Sequence, residues 1–92
     1  MTQTEYDIID ELYLVAPWQE LFENVGINEQ ELIKNLAILL QKGWVQFLAF
    51  DEESKDLRKQ EPEFFNTEKA KEYHYLATKK GLLAHVNEEI EE

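Results

Sequence analysis

Hydrophobic residues recur every three or four positions in three successive stretches of the first half of the chain. This spacing predicts three amphipathic helices, at about 4–16, 17–25 and 28–42. Pro17 separates the first two helices, because it cannot continue a helix but suits the first turn of a new one. Residues 4–42 are therefore expected to form three successive helices.

Three residues mark the ends of the second and third helices. Gly26 and Gly43 follow the last periodic positions and are typical of helix C-termini, where a left-handed residue is needed. Asn28 can accept a hydrogen bond from a free backbone N–H, and Glu31 can complete a capping box. The stretch from Glu20 to Val45 thus has the order helix, Gly turn, helix, Gly stop, strand.

The second half of the chain changes to a β-type pattern. Aromatic and β-branched residues predict a strand at about 44–50 and a returning strand at about 73–77. The polar segment 51–72 between them is too long for a tight hairpin turn, so we expect a long wing loop with a short helical turn after Thr67, at residues 68–72. Thr78 then caps a last helix at about 79–90.

Length and composition favour one small domain covering residues 1–92. The apolar fraction is 43%, which supplies material for one core, and the chain has no cysteine for disulfides or thiolate metal sites. The first residues lack the basic and apolar runs of a signal peptide, and no stretch is apolar enough to cross a membrane. We therefore expect a cytoplasmic protein with no membrane contact.

Two separated segments resemble the winged helix-turn-helix superfamily, and in particular its small bacterial regulators. The resemblance implies an α+β fold that is mainly α: three helices, a two-stranded antiparallel wing with a long loop, and a C-terminal helix. Members often bind DNA with the third helix and the wing, and others bind proteins. The residues that carry the resemblance are Leu21, Gly26, Ile27, Leu32, Leu36, Leu39 and Gly43–Val45 in the first segment, and Tyr75–Gly81 in the second.

The resemblance places the DNA-facing positions on the outer side of the third helix. There Gln30 and Asn35 could pair with adenine edges, and Lys34 could reach guanine or phosphate. In the wing loop, phosphate contacts would fall to Lys55, Arg58 and Lys59.

Charge opposes this DNA hypothesis. The formal net charge is −11, with 20 acidic and nine basic residues, and non-specific DNA binding depends on Lys and Arg neutralising phosphates. Glu29 also lies at the start of the third helix. DNA therefore remains an alternative partner that the net charge disfavours.

Phe64 and Phe65 form an aromatic pair inside the charged loop. They could pack onto the core, or they could contact another chain, since exposed aromatic residues mark interfaces. A protein partner or a second copy of this chain, giving a homodimer, is the partner they suggest.

No catalytic or metal-binding pattern accompanies these features. His74 and His85 are the only histidines, and their spacing does not suggest a metal site. There is no Gly-rich phosphate loop, nucleophile motif or cofactor fingerprint. The sequence therefore predicts a non-catalytic regulatory binding module acting through protein–protein contacts. A DNA-binding transcription regulator is the alternative, and an acidic mimic of nucleic acid is a third hypothesis.

Overall fold

The computed structural model describes residues 1–87, which form an α+β fold, as the sequence predicted. Helices and strands alternate irregularly along the chain, and two 3₁₀ helices, Pro62–Phe64 and Thr67–Glu72, lie before the last strand. The α-helices are α1 (Gln3–Asp10), α2 (Trp18–Val25), α3 (Glu29–Lys42) and α4 (Lys79–Val86), and the strands are β1 (Ala16–Pro17), β2 (Val45–Asp51), β3 (Asp56–Gln60) and β4 (His74–Ala77).

The four strands form one antiparallel sheet in the order β1-β4-β2-β3. The sheet is larger than the predicted two-stranded wing. Strand β2 lies between β4 and β3 and pairs with both. The short β1 pairs with β4, with Ala16 opposite Tyr75 and Pro17 opposite His74.

The prediction of one long loop at 51–72 was wrong in its first part, which forms a tight hairpin, whereas the helical turn predicted after Thr67 is present as the second 3₁₀ helix. The Asp51 carboxylate accepts hydrogen bonds from the Glu53 N–H at 3.0 Å and from the Ser54 hydroxyl at 3.1 Å. Lys55 takes the left-handed conformation, with φ of 59°, which turns the chain back along β2. Strand β3 is polar and lies at the sheet edge, so its residues carry little of the β-former signal on which the prediction relied.

The first helix also ends earlier than predicted, at Asp10 rather than near residue 16. The backbone beyond it is used by the sheet: the Leu12 carbonyl accepts a hydrogen bond from the Ala77 N–H at 2.9 Å. Ala16 pairs with β4, and a residue before proline favours the extended conformation. Hydrophobic spacing alone did not separate this extended segment from a helix.

The predicted second and third helices are confirmed to within a residue, together with the two glycine C-caps and the Asn28 N-cap. Gly26 and Gly43 are left-handed, with φ of 76° and 75°. The Asn28 side chain accepts a hydrogen bond from the Glu31 N–H at 2.9 Å. Thr78 caps α4; the last part of the predicted helix, residues 88–90, lies outside the described residues.

The core lies between the helices and one face of the sheet. Buried side chains from α1, α2 and α3 pack together with alternate residues of β2 and β4. Tyr75 fixes the second 3₁₀ helix to this core, because its hydroxyl donates to the Ala70 carbonyl at 2.6 Å, and burial raises its pKa above the ordinary range. The main core side chains are Ile8, Ile9, Leu12, Leu21, Leu32, Leu36, Leu39, Val45, Phe47 and Tyr75.

A buried carboxylate joins α1 to the end of α3. Glu5 accepts a hydrogen bond from the Thr2 N–H at 2.8 Å and forms an ion pair with the Lys42 ammonium at 2.9 Å. Burial acts to raise the Glu5 pKa, but the Thr2 N–H and Lys42 outweigh it and hold the pKa below its ordinary value. The bond from the Thr2 N–H to the Glu5 side chain also completes the capping box at the start of α1.

Candidate functional site

The three predicted DNA-reading residues lie on α3, and their side chains differ in availability. Gln30 and Lys34 are exposed on the helix surface. Asn35 is half-buried and donates its side-chain amide to the Glu31 carbonyl at 2.8 Å. An adenine contact by Asn35 would therefore require this bond to break.

The three predicted phosphate-contacting cations do not lie together. Lys55 is in the turn of the β2–β3 hairpin, whereas Arg58 and Lys59 are neighbours on β3 and project to opposite faces of the sheet. Arg58 is paired with Asp51, with the two side chains 2.9 Å apart. The Glu53 N–H, followed by smaller contributions that include Arg58, holds the pKa of Asp51 below its ordinary value.

Two further cations near α3 are also paired with carboxylates. Lys71 lies 2.7 Å from Glu29 at the start of α3. At the other end of the helix, Lys42 contacts Glu5 and also lies 4.7 Å from the centre of the Trp44 ring. These two ion pairs reduce the positive charge that the two ends of α3 could offer to a phosphate.

The predicted aromatic pair is split by the structure. Phe65 packs onto the core, with its ring centre 5.2 Å from that of Phe47 and 5.7 Å from that of Tyr73. Phe64 points away and is 64% exposed. Of the two predicted interface residues, only Phe64 is therefore available to another chain.

The sheet has a second face, which the sequence did not single out. Residues opposite one another on paired strands share a face, so the register defines it. Continuing the β1–β4 register by one residue places Val15 beside Leu76. We call this the outer face, and its side chains are Val15, Pro17, Gln46, Leu48, Phe50, Leu57, Lys59, His74 and Leu76.

Burial along the strands confirms that the outer face points away from the core. On β2, Val45 and Phe47 are buried, whereas Gln46 and Leu48 are half-buried and Phe50 is 57% exposed. Strand β4 alternates in the same way. Within residues 1–87, the strand residues that pack into the core are those of the opposite face. The outer face therefore presents partly exposed apolar side chains to solvent.

Residues that lie opposite one another on adjacent strands form rows across the outer face. In these rows, apolar side chains surround the two basic residues, His74 and Lys59. The central row runs Pro17, His74, Leu48, Lys59 across all four strands. His74 is half-buried in this row, and its Nδ1 is buried without a hydrogen-bond partner. Phe50 pairs with Leu57 in the next row, beside the hairpin turn.

The charge of the outer face is unlike that of the rest of the chain. None of its nine residues is acidic, although the protein has 20 carboxylate side chains. Carboxylates instead occupy the hairpin turn that follows the Phe50–Leu57 row. Asp51 and Asp56 form the next register pair and lie on the opposite face, whereas Glu52 and Glu53 are exposed in the turn itself. An apolar face with an acidic end is the result.

The other histidine, His85, is buried and holds neighbouring elements together. His85 is 6% exposed, its Nδ1 is hydrogen-bonded with the Tyr13 hydroxyl at 2.7 Å, and its ring stacks on Tyr6 with centres 4.0 Å apart. Asp10 lies 3.4 Å from its Nε2. These contacts fasten α4 to α1 and to the segment that follows it.

Within residues 1–87, no group of three or more His, Cys, Asp or Glu side chains is arranged to hold a metal ion. No helix in the same range is long and apolar enough to cross a membrane. Comparison of the chain with protein-family models, curated proteins and solved structures found no match.

Proposed function

We propose that this chain is a non-catalytic regulatory binding module that holds a protein partner on the outer face of its sheet. The observation that carries the proposal is the composition of this face: six apolar residues, Gln46, Lys59, His74 and no carboxylate, in a chain of net charge −11. Exposed apolar patches of this kind commonly mark interaction sites in soluble proteins.

Exposure of the apolar side chains supports the proposal. Phe50 is 57% and Val15 is 44% exposed, and they lie toward opposite sides of the face. Leu48, Leu57 and Leu76 between them are half-buried. A partner that covered these groups would remove apolar area from water, which is favourable. It would not have to bury a carboxylate of this face, which would cost free energy.

We further propose that the fold is a winged-helix variant in which the wing has gained a strand. The order α1, β1, α2, α3, β2 and β4, followed by α4, supports this relationship. Strand β3 would be the addition, because it pairs on the side of β2 opposite β4. Since fold does not imply function, the choice between protein and DNA rests on the composition of the outer face and of α3.

The DNA alternative has weaker support from the same geometry. Arg58, Lys42 and Lys71 are paired with carboxylates, and Asn35 is hydrogen-bonded within its own helix. Fluorescence anisotropy with mixed-sequence duplex DNA at about 50 mM salt should show no binding, since low salt favours phosphate contacts. If the wild-type chain bound this DNA and Lys34→Glu did not, DNA binding by α3 would replace the outer-face proposal.

Affinity capture with paired surface variants tests the proposed function. Phe50→Ser combined with Leu57→Ser removes apolar groups from the outer face. The matched control, Leu83→Ser with Val86→Ser, removes two apolar groups that are 56% and 66% exposed on α4. Both variants should keep the wild-type circular dichroism spectrum, because Phe50, Leu83 and Val86 are exposed and Leu57 is only half-buried, on the edge strand and outside the core.

The proteins captured by each variant would be quantified by mass spectrometry. We expect the outer-face variant to lose its specific partner at least tenfold and the α4 control to retain it. Equal capture by the two variants would contradict the assignment of binding to the outer face. Light scattering of the free protein would show separately whether a second copy is the partner.

A further inference from the structure

Resting on the proposed function, we infer that the outer face accepts a single amphipathic helix of net positive charge from a partner protein. Two independent properties of the face carry this inference. The first is its size, which suits one helix and is too small for a dimer of this chain. The second is its acidic end, which calls for basic residues on the partner.

The size of the outer face follows from the sheet geometry. Four strands spaced about 4.8 Å apart span roughly 15 Å, and the residues from Gln46 to Phe50 with their side chains span roughly 20 Å. The face therefore measures about 300 Å². Stable protein pairs bury about 800 Å² on each partner, so two copies that touched only through this face would not form a stable dimer.

One helix matches these dimensions. A helix with its side chains is about 10 Å wide, and 14 residues extend about 20 Å. Apolar residues spaced at i, i+3, i+4 and i+7 would lie along Leu76, Leu48 and Phe50, which are on adjacent strands of the face. Gln46 and His74 would be covered by the same helix.

The sign of the partner's charge follows from the hairpin turn. Glu52 and Glu53 are exposed in the turn that follows the Phe50–Leu57 row, and Lys55 is the single cation within the turn. Lys or Arg residues at one end of the partner helix would reach these carboxylates. The net charge of −11 would also attract a basic partner over longer distances and repel a second copy.

Selection from a peptide library provides the test. The library would display 16-residue helical peptides with fixed apolar residues at i, i+3, i+4 and i+7 and with Lys, Glu, Gln or Ser at the flanking positions. Selection on the immobilised full chain should enrich Lys at the flanks. Binding should be lost when a central proline is introduced, because proline breaks the helix.

Charge-reversal variants then locate the basic end of the selected peptides. Glu52→Lys with Glu53→Lys should weaken binding about tenfold, since each exposed ion pair contributes roughly a twofold to fivefold factor. Glu23→Lys with Glu31→Lys, on α2 and α3, changes the net charge equally and should have a much smaller effect. Phe50→Ser should abolish binding, and Val15→Ser serves as a second test of the face.

The outcomes separate this inference from the proposed function. One set of results concerns selected peptides that require Phe50 or Val15. If they have acidic flanks, bind despite the central proline, or bind the Glu52→Lys/Glu53→Lys variant as tightly as wild type, the helix inference is overturned and the outer face remains the binding surface. Failure to enrich any peptide, or binding that is unchanged in both face variants, would overturn the inference and count against the outer face itself. A dimer by light scattering that Phe50→Ser dissociates would also overturn it.

Discussion

Replacing Glu5 with glutamine should destabilise the fold by more than a surface carboxylate change would. The Glu5 side chain is 3% exposed and serves two partners, the Thr2 N–H at 2.8 Å and the Lys42 ammonium at 2.9 Å. In Glu5→Gln, an amide can still accept from Thr2, but its NH₂ group would face the Lys42 ammonium. One charge-assisted hydrogen bond is therefore lost and replaced by an unfavourable contact.

The magnitude is set by the exposure of the partner. Breaking a fully buried ion pair costs about 3–5 kcal/mol, because the remaining charge is left without solvent. The Lys42 side chain is 41% exposed, so its ammonium can be hydrated after the substitution. The loss should therefore be close to that of one charge-assisted hydrogen bond, about 2 kcal/mol.

Urea denaturation at pH 7 would measure this effect. With a slope of about 1 kcal/mol per molar urea, the midpoint should fall by about 2 M. Glu63→Gln is the matched control, because it removes the same charge from an exposed position. A loss of similar size in the control would show that total charge, rather than the Glu5 contacts, determines the result.

The same variant predicts a specific pH dependence. The pKa of Glu5 is lowered in the folded protein, so its stabilising contribution is complete above the ordinary value of 4.5 and is lost as pH falls through the lowered value. The difference between wild type and Glu5→Gln should thus shrink as the pH falls below 4.5. A difference that stays constant over this range would refute the role assigned to the Glu5 carboxylate.

Four further substitutions test other contacts by urea denaturation. Gly81→Ala should cost about 3 kcal/mol, because the added Cβ would lie 2.0 Å from the Trp44 carbonyl oxygen; wild-type stability would contradict this approach. Tyr75→Phe should cost about 1–3 kcal/mol by leaving a buried carbonyl without its donor, and an unchanged midpoint would contradict that bond. Phe65→Ser should cost about 2 kcal/mol and Phe64→Ser less than about 0.5 kcal/mol; equal losses would contradict their opposite orientations.

The helical half of the fold could be predicted because local chemistry determines it. Gly26, Asn28 and Gly43 adopt the conformations expected at helix ends, and apolar spacing located α2 and α3. The end of α1 could not be predicted in this way. The competing interaction is strand pairing of Ala16 with Tyr75, which is 59 positions away in the sequence.

Strand β3 was missed for a different physical reason. Its residues are polar because it is an edge strand with solvent on both faces, so hydrophobic alternation is weak. Its position depends on the Asp51 turn and on the left-handed Lys55, neither of which has a strong sequence signal. Without β3, the prediction had no outer face on which to place Leu57 and Lys59.

The candidate site could not be predicted from the sequence either, because it depends on contacts between distant parts of the chain. Phe64 and Phe65 were chosen because they are adjacent in the sequence, yet adjacent residues can point in different directions, and only Phe64 is exposed. The outer face joins residues from four strands that are far apart along the chain. The strand register was needed to reveal that a chain rich in carboxylates has one sheet face that lacks them.

Chemical-shift mapping of the isotope-labelled protein with a selected basic peptide tests the central claim most directly. We predict that the largest amide and methyl shifts fall on Leu48, Phe50, Leu57 and Leu76, with small shifts on α3. Shifts concentrated on α3 around Lys34, with the four outer-face residues unchanged, would contradict the claim that the outer face is where this protein binds its partner.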